Sequence, residues 1–436
     1  MGRLTPRLAF ALLVASLVAA ALPFPVLGFS GFGALSADAT YDQSMTFTVE
    51  LPGGAPDRLE ILLQFADDDA TFVAEVQPQG NRASYVWDAA SEHVTPNTRI
   101  TYAWRATDGG TMTTSRQGTL LYDDDRPGLD WSSARLGNAT VHWYGGSETI
   151  ARRFGELAAD GATRAVDLLG HDVAGPIDIF VYDSRDDFFG ALGPGAREWT
   201  GAATFPGLRT IFMWLGAGPQ SYLETAIVHE VTHVVFNDAT QNPYHEPAKW
   251  LNEGLAVWSE QQNANDARST VEFEASGGGL FSFDAISLGF PISDRGSRLA
   301  YAQGATMVDM IIAEHGRDAM AAIADAYRRG ASDAEALQAG TGAPAADLYA
   351  AFFDGFGVAE PEPVQPAAIP PSDVRKPGEA AAPGASGAPA PSAGAPSPAS
   401  SEPLISWLAV GAALLLLVGV VFALARSGRR GERSGP

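Results

Sequence analysis

His229-Glu230-Val231-Thr232-His233 is the stretch on which the reading of this chain turns. On a helix, side chains four residues apart stand one above the other, so the two imidazoles share a face and Glu230 is displaced to the neighbouring side. Two neutral imidazoles at that spacing reach one zinc ion without bending the backbone, and the carboxylate between them is placed to take a proton rather than to ligate. The flanking residues supply the helix. Ser221 and Glu224 have capping-box spacing, and Ile227, Val231, Val234 and Val235 give it apolar surface, which predicts a helix ending near Asn237-Asp238.

Zinc needs a further protein ligand, and the next helix offers one. Pro247 at a first helical position predicts a helix to about Gln262, reading Trp250-Leu251-Asn252-Glu253-Gly254-Leu255-Ala256-Val257-Trp258 in its middle. A carboxylate among so many apolar neighbours costs several kcal/mol to bury unless something pairs with it. Glu253 has Trp250 at i−3 and Val257 at i+4, whereas Glu260 lies near the expected fraying end and Glu246 precedes the helix. Glu253 therefore ranks first as third ligand; the competing reading is an ordinary surface glutamate.

Composition narrows the chemistry. The 436 residues contain no cysteine, which excludes disulfides, thiolate ligands and a cysteine nucleophile and leaves His, Asp and Glu as the strong metal ligands. The formal net charge of −23, with Lys249 and Lys376 the only lysines, disfavours a nucleic-acid partner. Nine Trp and 22 Phe are enough for real cores.

Taken in order, residues 1–37 open with Arg3 and Arg7 and run apolar from Leu8 to Phe29, as a secretory signal does. Small residues at Ala19 to Ala21 and at Ala34 to Ala37 offer two cleavage regions, and an uncleaved anchor is the alternative. Residues 38–126 alternate with period two through Met45, Phe47, Val49 and Leu51, then Leu59, Ile61 and Leu63, then Ile100, Tyr102 and Trp104. With turns at Pro52-Gly53-Gly54 and Asp108-Gly109-Gly110, this predicts an immunoglobulin-like or fibronectin-like β-sandwich. The acidic run Asp123-Asp124-Asp125 reads as a solvated exit from that domain, or else as hard ligands for calcium.

Residues 138–356 mix a strand around Thr140 to Tyr144, a helix from Ser147 to Leu169, a strand from Ile177 to Tyr182 and a hairpin at Thr200 to Phe205 and Thr210 to Leu215. The histidine helix follows, then a Gly- and Phe-rich loop from Asn263 to Ser297, then helices at Arg298 to His315, Arg317 to Arg329, Ser332 to Gln338 and Ala345 to Phe353. The hairpin offers an edge strand able to hold an extended peptide through main-chain hydrogen bonds. Residues 357–402 are Pro, Ala, Gly and Ser in the main, an extended stalk reaching at most on the order of 130 Å. Residues 403–425 form an apolar run long enough to cross a bilayer, and Arg426, Arg429, Arg430 and Arg433 in the tail, 426–436, place that end in the cytoplasm.

Three motifs in order, His229 to Val235, Trp250 to Ala256 and Ala300-Tyr301-Ala302-Gln303-Gly304, make the stretch from about Thr140 to Phe356 resemble the gluzincins, and within them the peptidase MA-like group. The resemblance implies an α+β fold with a thermolysin-like zinc peptidase domain, here preceded by the β-sandwich. It implies one Zn2+ held by His229, His233 and Glu253, and Glu230 as general base. Tyr301 corresponds to a tyrosine that steadies the oxyanion in some members, and reads equally well as a packed helical tyrosine. Thermolysin-type enzymes carry an aspartate four residues after the ligand glutamate; here that position is Val257, so the partners that orient the imidazoles are unassigned.

The expected protein is a membrane-anchored, extracytoplasmic zinc metallopeptidase acting on peptides or proteins. Two other readings stay open. One is a stalked cell-surface binding protein with a non-catalytic zinc domain, against which the intact Glu230 argues because a structural site needs no base. The other is a hydrolase of non-peptide amides.

Overall fold

The computed structural model describes residues 29–362 apart from 67, 69, 195–200 and 262–263. The signal-like segment up to residue 28, the Pro-rich stalk, the membrane-length run and the Arg-rich tail all lie outside the described residues. Every described strand and helix belongs to one compact unit.

The period-two stretches form strands whose alternate residues meet in one core. β1 (Leu35–Thr40), β2 (Ser44–Glu50) and β5 (Arg82–Trp87) make one antiparallel sheet in that order. A second antiparallel sheet takes β3 (Arg58–Phe65), β4 (Thr71–Glu75), β6 (Thr98–Asp108), β7 (Thr111–Thr114) and β8 (Gly118–Tyr122), in the order β4-β3-β6-β7 with β8 also on β6. Met45, Phe47 and Val49 of the first sheet and Ile61, Leu63, Ile100 and Trp104 of the second are all fully buried in one cluster. Because strand side chains alternate faces, a one-residue slip would send each of these sets to solvent, which is what pins the register. β1 pairs with β2 from Leu35 onward, so the second of the two small-residue stretches, Ala34 to Ala37, runs into a paired strand.

The acidic run after β8 is solvated only at its ends, Asp123 and Asp125; its middle carboxylate is buried. Asp124 is 1% exposed and accepts hydrogen bonds from Arg126 Nε at 2.7 Å and Tyr182 Oη at 3.2 Å. Asp125 accepts from the Tyr41 amide at 3.0 Å, and Tyr41 Oη donates to the Gly190 carbonyl at 2.8 Å. These carboxylates are taken up by protein donors on both sides of the junction, so the run fastens the sandwich to the following domain. Asn97 Nδ2 donating to Thr210 Oγ1 at 2.8 Å adds a second tie.

The second domain opens with a mixed sheet. β9 (Ser132–Leu136), β10 (Ala139–Trp143), β11 (Ile177–Tyr182), β12 (Ala202–Phe205) and β13 (Thr210–Trp214) lie in the order β12-β13-β11-β10-β9. The central β10, β11 and β13 are parallel and the two outer strands antiparallel. Between β10 and β11 the chain crosses over through α1 (Glu148–Leu169), whose buried stripe is mostly small residues, four alanines with Gly155 and Gly161. Small residues there let the histidine helix pack close: a Cβ at Gly161 would sit 3.6 Å from Val228. A short α2 (Arg185–Leu192), not expected from the sequence, follows β11.

The histidine helix, α3 (Gln220–Thr240), buries Leu223, Ile227, Val231, Val234, Val235 and Phe236 on several sides. Its start differs from expectation. Pro219 is the extended N-cap, and with φ fixed by its ring and no N–H to satisfy it begins the helix two residues early. Ser221 then falls inside the first turn, and Glu224 accepts from Gln220 Nε2 at 2.7 Å instead of closing a capping box. The next helix, α4 (Lys249–Ser259), likewise starts after Pro247, because the Ala248 and Lys249 amides donate outward to Asp333 Oδ1 at 3.1 Å and the Ser287 carbonyl at 2.6 Å.

α5 (Ala264–Ser276) occupies part of the expected loop; its buried stripe of Ala267, Val271 and Ala275 is too small-sided to show as strong periodicity. α6 (Asp294–His315), α7 (Asp318–Arg328), α8 (Asp333–Thr341) and α9 (Ala345–Gly355) complete the helical lobe. The Ala300 to Gly304 motif has a packing role within it. Gln303, fully buried, clamps the Phe281 backbone from both of its amide atoms, at 3.1 and 2.6 Å. Gly304 meets Gly254: a Cβ on Gly304 would lie 2.4 Å from the Trp250 carbonyl oxygen, and one on Gly254 would lie 2.3 Å from the Gly304 carbonyl carbon. Backbone contacts this close admit no side chain, so they fix how α4 crosses α6. Gly304→Ala is expected to destabilise the protein by about 1–3 kcal/mol, the usual cost of overpacking; a denaturation midpoint equal to wild type would show that the helices can slide apart freely.

Candidate active site

α3 and α4 bring three donors together. His229 and His233, one turn apart on α3, direct Nε2 at Glu253 Oε2 on α4, at 3.6 and 3.5 Å. All three donor atoms lie within 4.8 Å of one another. These nitrogen–oxygen separations are close to the roughly 3.4 Å edge of a tetrahedron whose donors stand about 2.1 Å from a central zinc. The residues present therefore suit that ion in donor type and in spacing.

The other side of each imidazole is also occupied. His229 Nδ1 lies 2.8 Å from Glu260 Oε1, and His233 Nδ1 lies 2.8 Å from Asn252 Oδ1. Both partners are acceptors, so each Nδ1 donates outward and Nε2 is the nitrogen left to face a metal. The carboxylate missing at position 257 is thus supplied three residues further on. Glu253 is steadied by Lys249, whose Nζ donates to Oε1 at 2.8 Å and leaves Oε2 facing the imidazoles.

Charge explains why such a site seeks a cation. Burial opposes protonation of His229, but the carboxylates of Glu253 and Glu260 outweigh it and raise the imidazole from 6.5 to about 10. Burial likewise opposes ionisation of Glu253, yet hydrogen bonds from His229 and His233 hold its carboxyl well below the usual carboxylate range. A proton on His229 balances the carboxylates around it, as a bound cation would.

Two further groups reach the cluster. The Tyr301 ring on α6 stands 6.3 Å from the His229 ring and is held edge-on by Phe290 at 5.0 Å. Glu230, on the neighbouring side of α3, meets β12, where Thr204 Oγ1 donates to its Oε2 at 2.6 Å. All five residues singled out in the sequence thus lie at one place. Glu260, Asn252, Lys249 and Thr204 are the members that sequence reasoning missed.

Residues 157–352 match the sequence profile of the Peptidase MA superfamily. That match supports reading the segment as a gluzincin-like zinc peptidase domain, α+β in fold and with a β-rich domain ahead of it. Among solved structures, a mutant of a two-domain M1 zinc metallopeptidase bound to L-arginine is similar at 14% identity and a TM-score of 0.31, over 73% of this chain and 90% of that one. A bromine derivative of BhCBM56 is similar at 8% identity and a TM-score of 0.17, over 20% of this chain and 88% of that one. No curated protein sequence matches the chain.

Two outcomes test the geometry. Removing an outer partner of a metal-binding imidazole costs about 10–100-fold in affinity, so Glu260→Ala is expected to weaken zinc binding by that factor in competition with a chelator. With its pKa raised to about 10, His229 carries a proton on the Nε2 that faces Glu253, which an ion there must displace, so affinity should fall as pH falls, by about tenfold per unit between pH 8 and pH 6. A flat profile would show that no such proton is displaced.

Proposed function

We propose that the chain hydrolyses peptide bonds with one zinc ion held by His229, His233 and Glu253, and with Glu230 as general base. The observation that carries this reading is the convergence of both Nε2 atoms on Glu253 Oε2, each imidazole backed on its far nitrogen by an acceptor. Zinc bound there supplies Lewis acidity, which polarises the scissile carbonyl and eases deprotonation of water near neutral pH. Glu230, one residue from His229 and on the neighbouring side of α3, accepts that proton and returns it to the leaving amine. Tyr301, packed between Phe290 and His229, is placed to donate its hydroxyl to the developing oxyanion.

The substrate is an extended peptide or protein segment. β12 ends the mixed sheet and lies against Glu230, so a chain added to its outer edge would run past the base. The site works outside the cytoplasm, tethered by Leu404 to Ala425 through the Pro-rich stalk, with the Arg-rich tail inside. The support for this is compositional: the uncharged apolar run, the arginines after it and the apolar segment behind Arg3 and Arg7. Among the described residues no helix is long and apolar enough to cross a membrane. If the signal is cleaved, Ala19 to Ala21 is the region that leaves β1 whole.

Glu230→Gln keeps the shape of the base and removes its basicity. The purified full-length variant should bind zinc at wild-type stoichiometry and cleave a peptide library about 10²–10⁴-fold more slowly. Undiminished cleavage by that variant would remove Glu230 from the mechanism, and a wild-type chain without zinc would remove the peptidase reading itself.

A further inference from the structure

The hydroxyl of Thr204 is the most direct link between the sheet edge and the candidate base. It donates to Glu230 Oε2 at 2.6 Å, with the Glu230 carbonyl oxygen, at 3.3 Å, the longer alternative acceptor for its single proton. Thr204 sits in β12, paired through Ile211 of β13, and is itself half-buried. A glutamate has three side-chain torsions to fix before its carboxylate is aimed, and a hydrogen bond to an ionised acceptor is among the stronger ways to fix them.

We infer that Thr204 is the positioning residue for Glu230, holding the base from the strand along which the substrate is expected to lie. The inference rests on the peptidase reading above and adds to it: the strand that receives the peptide also sets the direction of the base. A β-branched threonine suits the place, since it keeps strand geometry and offers a hydroxyl where valine would offer only a methyl group.

The test uses the full-length chain, a peptide substrate selected from the library, and two variants. Thr204→Val keeps the shape and deletes the donor; Thr204→Ser keeps the donor and deletes the methyl. A hydrogen bond to a charged group contributes about 1.5–3 kcal/mol, roughly a 10–100-fold effect on rate. Thr204→Val should therefore lower kcat by about 10–100-fold at unchanged KM and unchanged zinc content, and Thr204→Ser should restore kcat to within about threefold of wild type. A Thr204→Val variant as active as wild type overturns the inference. So does one that loses zinc or raises KM in step with the fall in kcat, because that marks a general loss of structure. A wild-type chain that binds zinc and cleaves nothing in the library overturns the peptidase reading, and is told apart from these by needing no variant.

Discussion

A carboxylate buried among tryptophan and leucine is the constraint on which the rest of the second domain depends. Glu253 lies on α4 between Trp250, Leu251 and Leu255, all of them buried, and is itself only 9% exposed. An ionised carboxyl in such surroundings persists only when it is compensated. Here the compensation comes from His229 and His233 on the facing helix and from Lys249 one turn back on its own. The groups that neutralise Glu253 on α3 are the same ones that offer lone pairs to a metal, so the electrostatic requirement and the metal-binding geometry are one arrangement.

That arrangement depends on a tight crossing elsewhere. α4 reaches the right depth because Gly254 and Gly304 let its backbone touch that of α6, and α6 in turn carries Tyr301 to the edge of His229. Gln303, next to Gly304, holds the Phe281 backbone, and Lys249 ties the same segment through its amide to Ser287 and through its ammonium, 5.5 Å above the Phe290 ring. The Gly- and Phe-rich segment is therefore fixed packing at one wall of the site at these points.

Much of this is legible in the sequence because it depends on local spacing. The i, i+4 histidines, the apolar neighbours of Glu253 and the period-two strands each report a face that must be buried or shared, and alternation alone places residues as far apart as Met45 and Trp104 in one core. What stays hidden depends on how two elements cross. A position near a helix end argues against Glu260, yet a helix returns to within about 20° of the same face after seven residues, so Glu260 follows Glu253 onto His229. Its backbone is held in helical geometry past the last turn, φ −66° and ψ −13°. The acidic run at 123–125 misleads for the same reason: its partners, Tyr41 and Tyr182, lie in elements remote along the chain. α2 and α5 escape because stripes of alanine, or a helix of two turns, carry little hydrophobic signal.

α3 belongs to both halves of the site, and this explains why the site lies at the boundary of sheet and helices. One side of α3 presents His229 and His233 to α4, where charge compensation governs; the neighbouring side presents Glu230 to β12, where a single hydroxyl governs. A carboxylate that both ligated and accepted protons would have to satisfy opposite demands, since a ligand must stay ionised and a base must change state. Placing Glu230 and Glu253 on different helices, with different neighbours, gives each its own environment. In the proposed mechanism the sheet edge then holds the group that moves protons and the helical lobe holds the groups that stay charged, while α3 sets the distance between them.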